Sequence, residues 1–147
     1  MSVLKRPESV LVVVHTDDGQ VLQLLRREPE GFWQSVTGSL LEGETPLKAA
    51  RRELREETGL EGDLGLADGG VINRYPIHPA WRHRYAPEVM ENTEYVFHLA
   101  VPQPCDITLS PEHLEYRWLP REQAATAAGS ATDRAAILAL LPARPQV

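Results

Sequence analysis

Gly38-Ser-Leu-Leu-Glu-Gly-Glu44-Thr-Pro-Leu-Lys-Ala-Ala-Arg-Arg52-Glu53-Leu54-Arg-Glu56-Glu57-Thr-Gly59-Leu60 is the stretch whose reading decides the fold. Thr45 followed by Pro46 predicts a helix start, because a threonine oxygen can cap free backbone amides and proline fits the first helical position. Gly59 predicts its stop. Between those marks, an advance of about 100° per residue sorts the side chains into three stripes. Leu47, Ala50 and Leu54 form an apolar stripe expected to face a core, and Lys48, Arg51, Arg52 and Arg55 form a basic one. Glu53, Glu56 and Glu57 form the third, with Ala49 lying within it and expected to leave room for ions and substrate.

A solvated surface laced with ion pairs is the ordinary explanation for so charged a helix. The spacing argues against it. Lys48/Arg52, Arg51/Arg55 and Glu53/Glu57 are like-charged four residues apart, and only Arg52/Glu56 joins opposite charges, in the weaker order. Each like pair costs roughly 0.2–0.5 kcal/mol, and carboxylates in a last turn also face the negative end of the helix dipole. A bound divalent cation reverses every one of these costs, and clustered carboxylate oxygens suit Mg²⁺ or Mn²⁺.

Working outward, Val10–His15 and Val21–Leu25 are β-branched runs joined by Asp17-Asp18-Gly19-Gln20, a hairpin signal. Arg26 and Arg27 end the second run on opposite faces, so one of them is expected to reach a substrate. Trp33–Thr37 predicts one short strand leading to Gly38, and residues 60–70 predict loop and edge strand, with Val71–Tyr75 extending it. Pro76–Asn92 holds three prolines and no clean period, the mark of a functional loop; its Arg82-His83-Arg84 cluster suits either phosphate or ring clamping or pairing with surface acids. Glu94–Val101 and Glu115–Leu119 read as strands, and His98 as structural rather than a base. Arg121–Ala128 and Thr132–Leu141 read as alanine-rich helices divided by Gly129-Ser130.

Gly38, Glu44, Arg52-Glu53-Leu54, Glu56-Glu57 and Gly59-Leu60 match every defined position of the Nudix box, so the chain resembles the Nudix hydrolases. The resemblance implies an α/β/α sandwich with a mixed central sheet and a loop-helix-loop catalytic motif, one domain over 1–147 with the box at 38–60. It implies Mg²⁺, with Mn²⁺ as a substitute, assisting attack of water on a phosphorus atom. Lys5-Arg6-Pro7, Phe32 to Gly38, Arg82 to Pro87, Asn92-Thr93-Glu94, Glu112-His113-Leu114 and Trp118-Leu119 extend the likeness to bacterial members that cleave dihydroneopterin triphosphate to the monophosphate and pyrophosphate, an early step of folate biosynthesis. By position, the likeness makes Glu53, Glu57 and Glu112 metal ligands with Glu56 as a further one, Arg52 the residue that orients a glutamate, and Glu53 or Glu56 the base. It places Lys5, Arg26, Thr37 and Ser130 at the substrate, with Tyr75 to His78 on a substrate-facing loop. Tyr75-Pro76-Ile77-His78 departs most from the expected residue types. Oxidised purine nucleoside triphosphates and dinucleoside polyphosphates are the alternative substrates within the family. A Nudix ligand sensor that does not cut is the non-enzymatic alternative, and a degenerate box would mark it.

Length and composition agree. A chain of 147 residues suits one domain. Cys105, the only cysteine, lies between Pro104 and Asp106, reads as a loop residue rather than a catalytic thiol, and forbids an internal disulfide. No apolar run is long enough for a bilayer, and Met1 to Glu8 lacks the apolar centre of a secretory signal, so a cytoplasmic enzyme is expected. A net charge of −6 disfavours nucleic acid, whose binding needs many Lys and Arg contacts. A small polyphosphate is compatible with it, because a metal ion and a few focused cations suffice.

Overall fold

Nine residues of β1 (Glu8–Thr16) pair in parallel with β6 (Glu91–Val101), from Glu8 against Thr93 to Thr16 against Val101. In the computed structural model, which describes residues 4–62 and 65–141, this pair is the spine of a seven-stranded mixed sheet. The sheet runs β3 (Trp33–Gln34), β2 (Gln20–Arg26), β1, β6, β5 (Ala67–Pro76). β4 (Val36–Ser39) joins β1, and β7 (His113–Pro120) joins β2. The expected hairpin is present: Gly19, at φ 85°, donates its amide to the Thr16 carbonyl, and His15 pairs with Val21.

Alternation along β1 sends side chains to two cores. Val10, Val12 and Val14 pack with Ala49, Ala50 and Leu54 of α1 (Pro46–Thr58) on one side. Leu11 and Val13 pack on the other with Ala124 and Ala125 of α2 (Arg121–Ala127) and Ala136 and Ile137 of α3 (Ala131–Leu140). The expected α/β/α layering is therefore observed. The α1 boundaries also fall where the caps place them: the Thr45 hydroxyl accepts from the Lys48 amide, and Gly59 adopts the left-handed conformation at φ 79°.

Three expectations are corrected. Leu47 is 41% exposed, whereas Ala49 is fully buried, so the buried arc of α1 is turned toward the acidic stripe. The cause is close packing through the Ala49/Ala50 pair, which lets the helix approach the sheet and carries Glu57 beneath it; no space for ions lies above Ala49. Trp33–Thr37 is two strands rather than one, because Ser35 leaves the ladder to bond Asp133 of α3 through both its amide and its hydroxyl, each at 2.7 Å. The loop after β5 contains a 3₁₀ helix, Pro79–Arg84, started by Pro79 and capped by the His78 ring. Positions 63 and 64 of the 60–70 segment, and Met1 to Val3 of the start, lie outside the described residues.

Candidate active site

The last two turns of α1 present three carboxylates in three environments. Glu56 is exposed, Glu53 is largely covered, and Glu57 is 2% exposed. Neither carboxylate oxygen of Glu57 meets a hydrogen-bond donor; His113 Nε2 lies 3.7 Å away, and burial lowers the pKa of that imidazole, favouring its neutral form. Burial first, then Glu53 and Glu112, push the proton affinity of Glu57 well above the ordinary carboxylate value, and the Thr37 amide opposes this without reaching good hydrogen-bond geometry. A buried carboxylate normally has partners. One lacking them beside other carboxylates is suited to a cation.

Glu53 is fixed from two sides. Arg52 Nη1 donates to its Oε1 at 2.7 Å, and a Cβ added at Gly38 would fall 2.2 Å from its Cδ, so only glycine leaves space for the carboxylate. Arg52 is itself held by a fork onto Glu44, Nε to Oε2 at 2.8 Å and Nη2 to Oε1 at 2.9 Å, and by the Ser39 carbonyl. Its pKa is raised, with Glu44 the largest cause. Arg52 also reaches Glu56 at 3.2 Å.

Gly38, Arg52, Glu53 and Glu56 border a cavity of about 1310 Å³, with Glu44 and Glu57 behind its lining. Lys5, Arg26, Thr37, Glu53, Glu56, Tyr75 and Glu112 all line it. Arg26 lies 5.6 Å from the Trp81 ring centre and 5.9 Å from that of Phe32. Burial lowers the pKa values of both Arg26 and Lys5, with Arg84 the next cause for each. Thr37 turns its hydroxyl to the Val10 carbonyl, and the Tyr75 hydroxyl accepts from Asn92 and donates to Glu94. Ser130 stands apart from the cavity lining, and its hydroxyl caps α3 by accepting from the Asp133 amide.

The family profile described as NUDIX domain matches residues 5–141. The chain belongs to the Nudix family. It is 45% identical over 139 residues to the dihydroneopterin triphosphate diphosphatase of Escherichia coli K12, with 92% of each chain covered. The Haemophilus influenzae protein of that name is 38% identical over 137 residues, covering 90% of this chain and 86% of its own. The solved structure of the E. coli dihydroneopterin triphosphate pyrophosphohydrolase superposes with a TM-score of 0.86 over 92% of this chain and 95% of that one.

The Nudix box residues fit a divalent cation, by the test of the donorless Glu57 oxygens and the glycine cleared against Glu53. Among the described residues no three acidic or imidazole side chains already converge as ligands. Glu53 has one oxygen on Arg52 and Glu56 turns toward solvent, so an ion would draw the carboxylates together. Several residues escaped sequence reasoning. Glu44 was legible only as a box position, and its role as the Arg52 partner depends on the loop folding back over α1. His113, buried and 3.2 Å from Gln34 Nε2, had no local signal, and Trp81 had none for its place over Arg26.

Proposed function

We propose that this Nudix protein acts as one domain to hydrolyse dihydroneopterin triphosphate to dihydroneopterin monophosphate and pyrophosphate, with Mg²⁺, or Mn²⁺ in its place, held by Glu53, Glu56, Glu57 and Glu112. The observation that carries the chemistry is the buried Glu57 carboxylate without a donor, set behind the cavity-lining Glu53 and His113 of a cavity whose opposite charges come from Lys5 and Arg26. Support for the substrate is the 45% identity over nearly the full length of a protein named for that reaction. The bound metal supplies charge compensation and an acidified water. Arg52 sets the Glu53 carboxylate, Gly38 leaves it room, and Lys5 and Arg26 take phosphate oxygens. Thr37 and Tyr75 shape the wall, and Ser130 contributes through the end of α3 that it caps. Glu56, the most exposed of the three box carboxylates and 3.2 Å from Arg52 Nη1, accepts the proton of the attacking water, with Glu53 the alternative base. The reaction belongs in the cytoplasm; among the described residues no helix is long and apolar enough to cross a membrane.

The test is a Mg²⁺-dependent comparison of kcat/KM for dihydroneopterin triphosphate, oxidised purine nucleoside triphosphates and dinucleoside polyphosphates, scoring pyrophosphate against orthophosphate. The pteridine substrate is expected to lead. A higher specificity constant for any of the others would overturn the assignment.

A further inference from the structure

Six cationic side chains line the cavity, and their partners divide them. Arg6 is neutralised by Glu8 at 2.7 Å, and Arg52 by Glu44, Glu53 and Glu56. Arg27 donates its Nε to the Pro111 carbonyl. Lys5, Arg26 and Arg84 remain, and among the described residues none of the three has a carboxylate at ion-pair distance. Lys5 and Arg84 are exposed at the cavity and Arg26 is half-buried, so the three charges are available to an anion that enters it.

Arg84 is the member of this set that the resemblance does not assign to the substrate. Its place is fixed by backbone: the Lys5 amide donates to the Arg84 carbonyl at 2.7 Å, tying the segment before β1 to the end of the 3₁₀ helix. The same helix carries Trp81, over whose ring Arg26 lies. One short element thus sets the positions of all three cations. Burial, and after it the Arg84 charge, lowers the pKa of both Lys5 and Arg26, so Arg84 stands close enough for all three to face one anion. Arg82, two residues earlier, turns the other way, to the Met90 sulfur at 2.7 Å and the Pro87 carbonyl.

We propose that Arg84 is a third phosphate-binding cation of this site, completing with Lys5 and Arg26 a cradle for a chain of three phosphates. This deepens the proposed function and rests on the same cavity. A planar guanidinium suits two phosphate oxygens at once, which an ammonium cannot match.

The experiment measures binding of inorganic tripolyphosphate and of orthophosphate to the full chain in Mg²⁺ by calorimetry, for wild type, Arg84→Gln, Arg84→Lys and Arg82→Gln, with circular dichroism to confirm folding. Arg84→Gln is expected to weaken tripolyphosphate by about ten- to a hundredfold while changing orthophosphate far less, and Arg84→Lys to recover part of the loss. With a cleavable triphosphate the loss should fall on KM more than on kcat. Wild-type affinity for tripolyphosphate in Arg84→Gln, or an equal loss in Arg82→Gln, would overturn the proposal. Should wild type bind tripolyphosphate in an Arg84-dependent way yet fail to cleave dihydroneopterin triphosphate, the cradle stands and the substrate assignment falls.

Discussion

Arg52 and Glu44 meet through two parallel hydrogen bonds of 2.8 and 2.9 Å, so the loop before α1 grips the guanidinium that in turn holds Glu53. Arg52→Lys keeps the charge and loses the fork. Turnover is expected to fall about ten- to a hundredfold with a stability change of roughly 1 kcal/mol or less, because the pairs are partly solvated. Parallel kcat and denaturant-midpoint measurements check this, and proportionate losses in both would contradict it.

Gly38 is not needed for its backbone angles but for the space it leaves. An alanine Cβ would fall 2.2–2.6 Å from the Glu53 carboxylate, the mobile end of its side chain, so the fold can give way and the carboxylate must move. Gly38→Ala is expected to keep most of its stability and lose at least tenfold in rate, of the order attributed to small misplacements of catalytic groups. A crystal structure showing Glu53 undisplaced would refute the explanation.

Glu57→Gln removes the charge that burial, Glu53 and Glu112 all oppose. Turnover is expected to drop at least about a hundredfold. Stability should move the other way. The folded pKa of Glu57 lies above the unfolded value of about 4.3, so the stability it contributes is present below that value and is lost as pH rises through the folded one. Metal-free wild type should therefore lose stability relative to Glu57→Gln as pH rises out of the acid range, with Asp133 and Glu94 common to both proteins. Urea titrations at several pH values in EDTA provide the measurement; curves that stay parallel would sink it.

Mg²⁺ should reverse that penalty. Melting temperature is expected to rise with Mg²⁺ concentration in wild type, as for any ligand that binds only the folded state, and to rise much less in Glu57→Gln. An equal rise in both proteins would place the ion elsewhere.

Asp133, 1% exposed, accepts the Ser35 amide and hydroxyl. Asp133→Ala leaves both donors buried and unpaired, and is expected to cost about 2–4 kcal/mol, with Asp133→Asn recovering part of it. Thermal unfolding of the two variants decides the matter, and a neutral Asp133→Ala would show that water replaces the carboxylate.

Features set by neighbouring residues were legible before the structure. Thr45, Pro46 and Gly59 bound α1, and the Asp18-Gly19 turn closes the β1–β2 hairpin, because capping and turn chemistry act within a few residues. Ala50 and Leu54 are buried as their period predicts, but the edge of the buried arc was not legible, since the sheet decides it: Leu47 is left exposed, and Ala49 takes its place. The break at Ser35 depends on Asp133, a distant partner on α3. Arg82, His83 and Arg84 are indistinguishable by composition, and only the pairing of Arg82 with Met90 and of Lys5 with Arg84 separates their roles. Of the candidate site, the α1 carboxylates and Gly38 came from one contiguous motif, whereas Arg26, at the end of β2, and Glu112, just before β7, reach the cavity from outside that motif.

The parallel register of β1 against β6 also sets the order in which the molecule can be built. Glu8 has no partner in that ladder until Thr93 has been synthesised, and closing so long a loop is entropically slow. α1 can begin to coil as soon as its own caps emerge, but the wall that shelters Glu57 includes His113, further still along the chain. The shelter around Glu57 is thus a property of a chain synthesised past β7, and a ribosome-bound fragment ending before β7 would carry the signature motif without the His113 side of its surroundings.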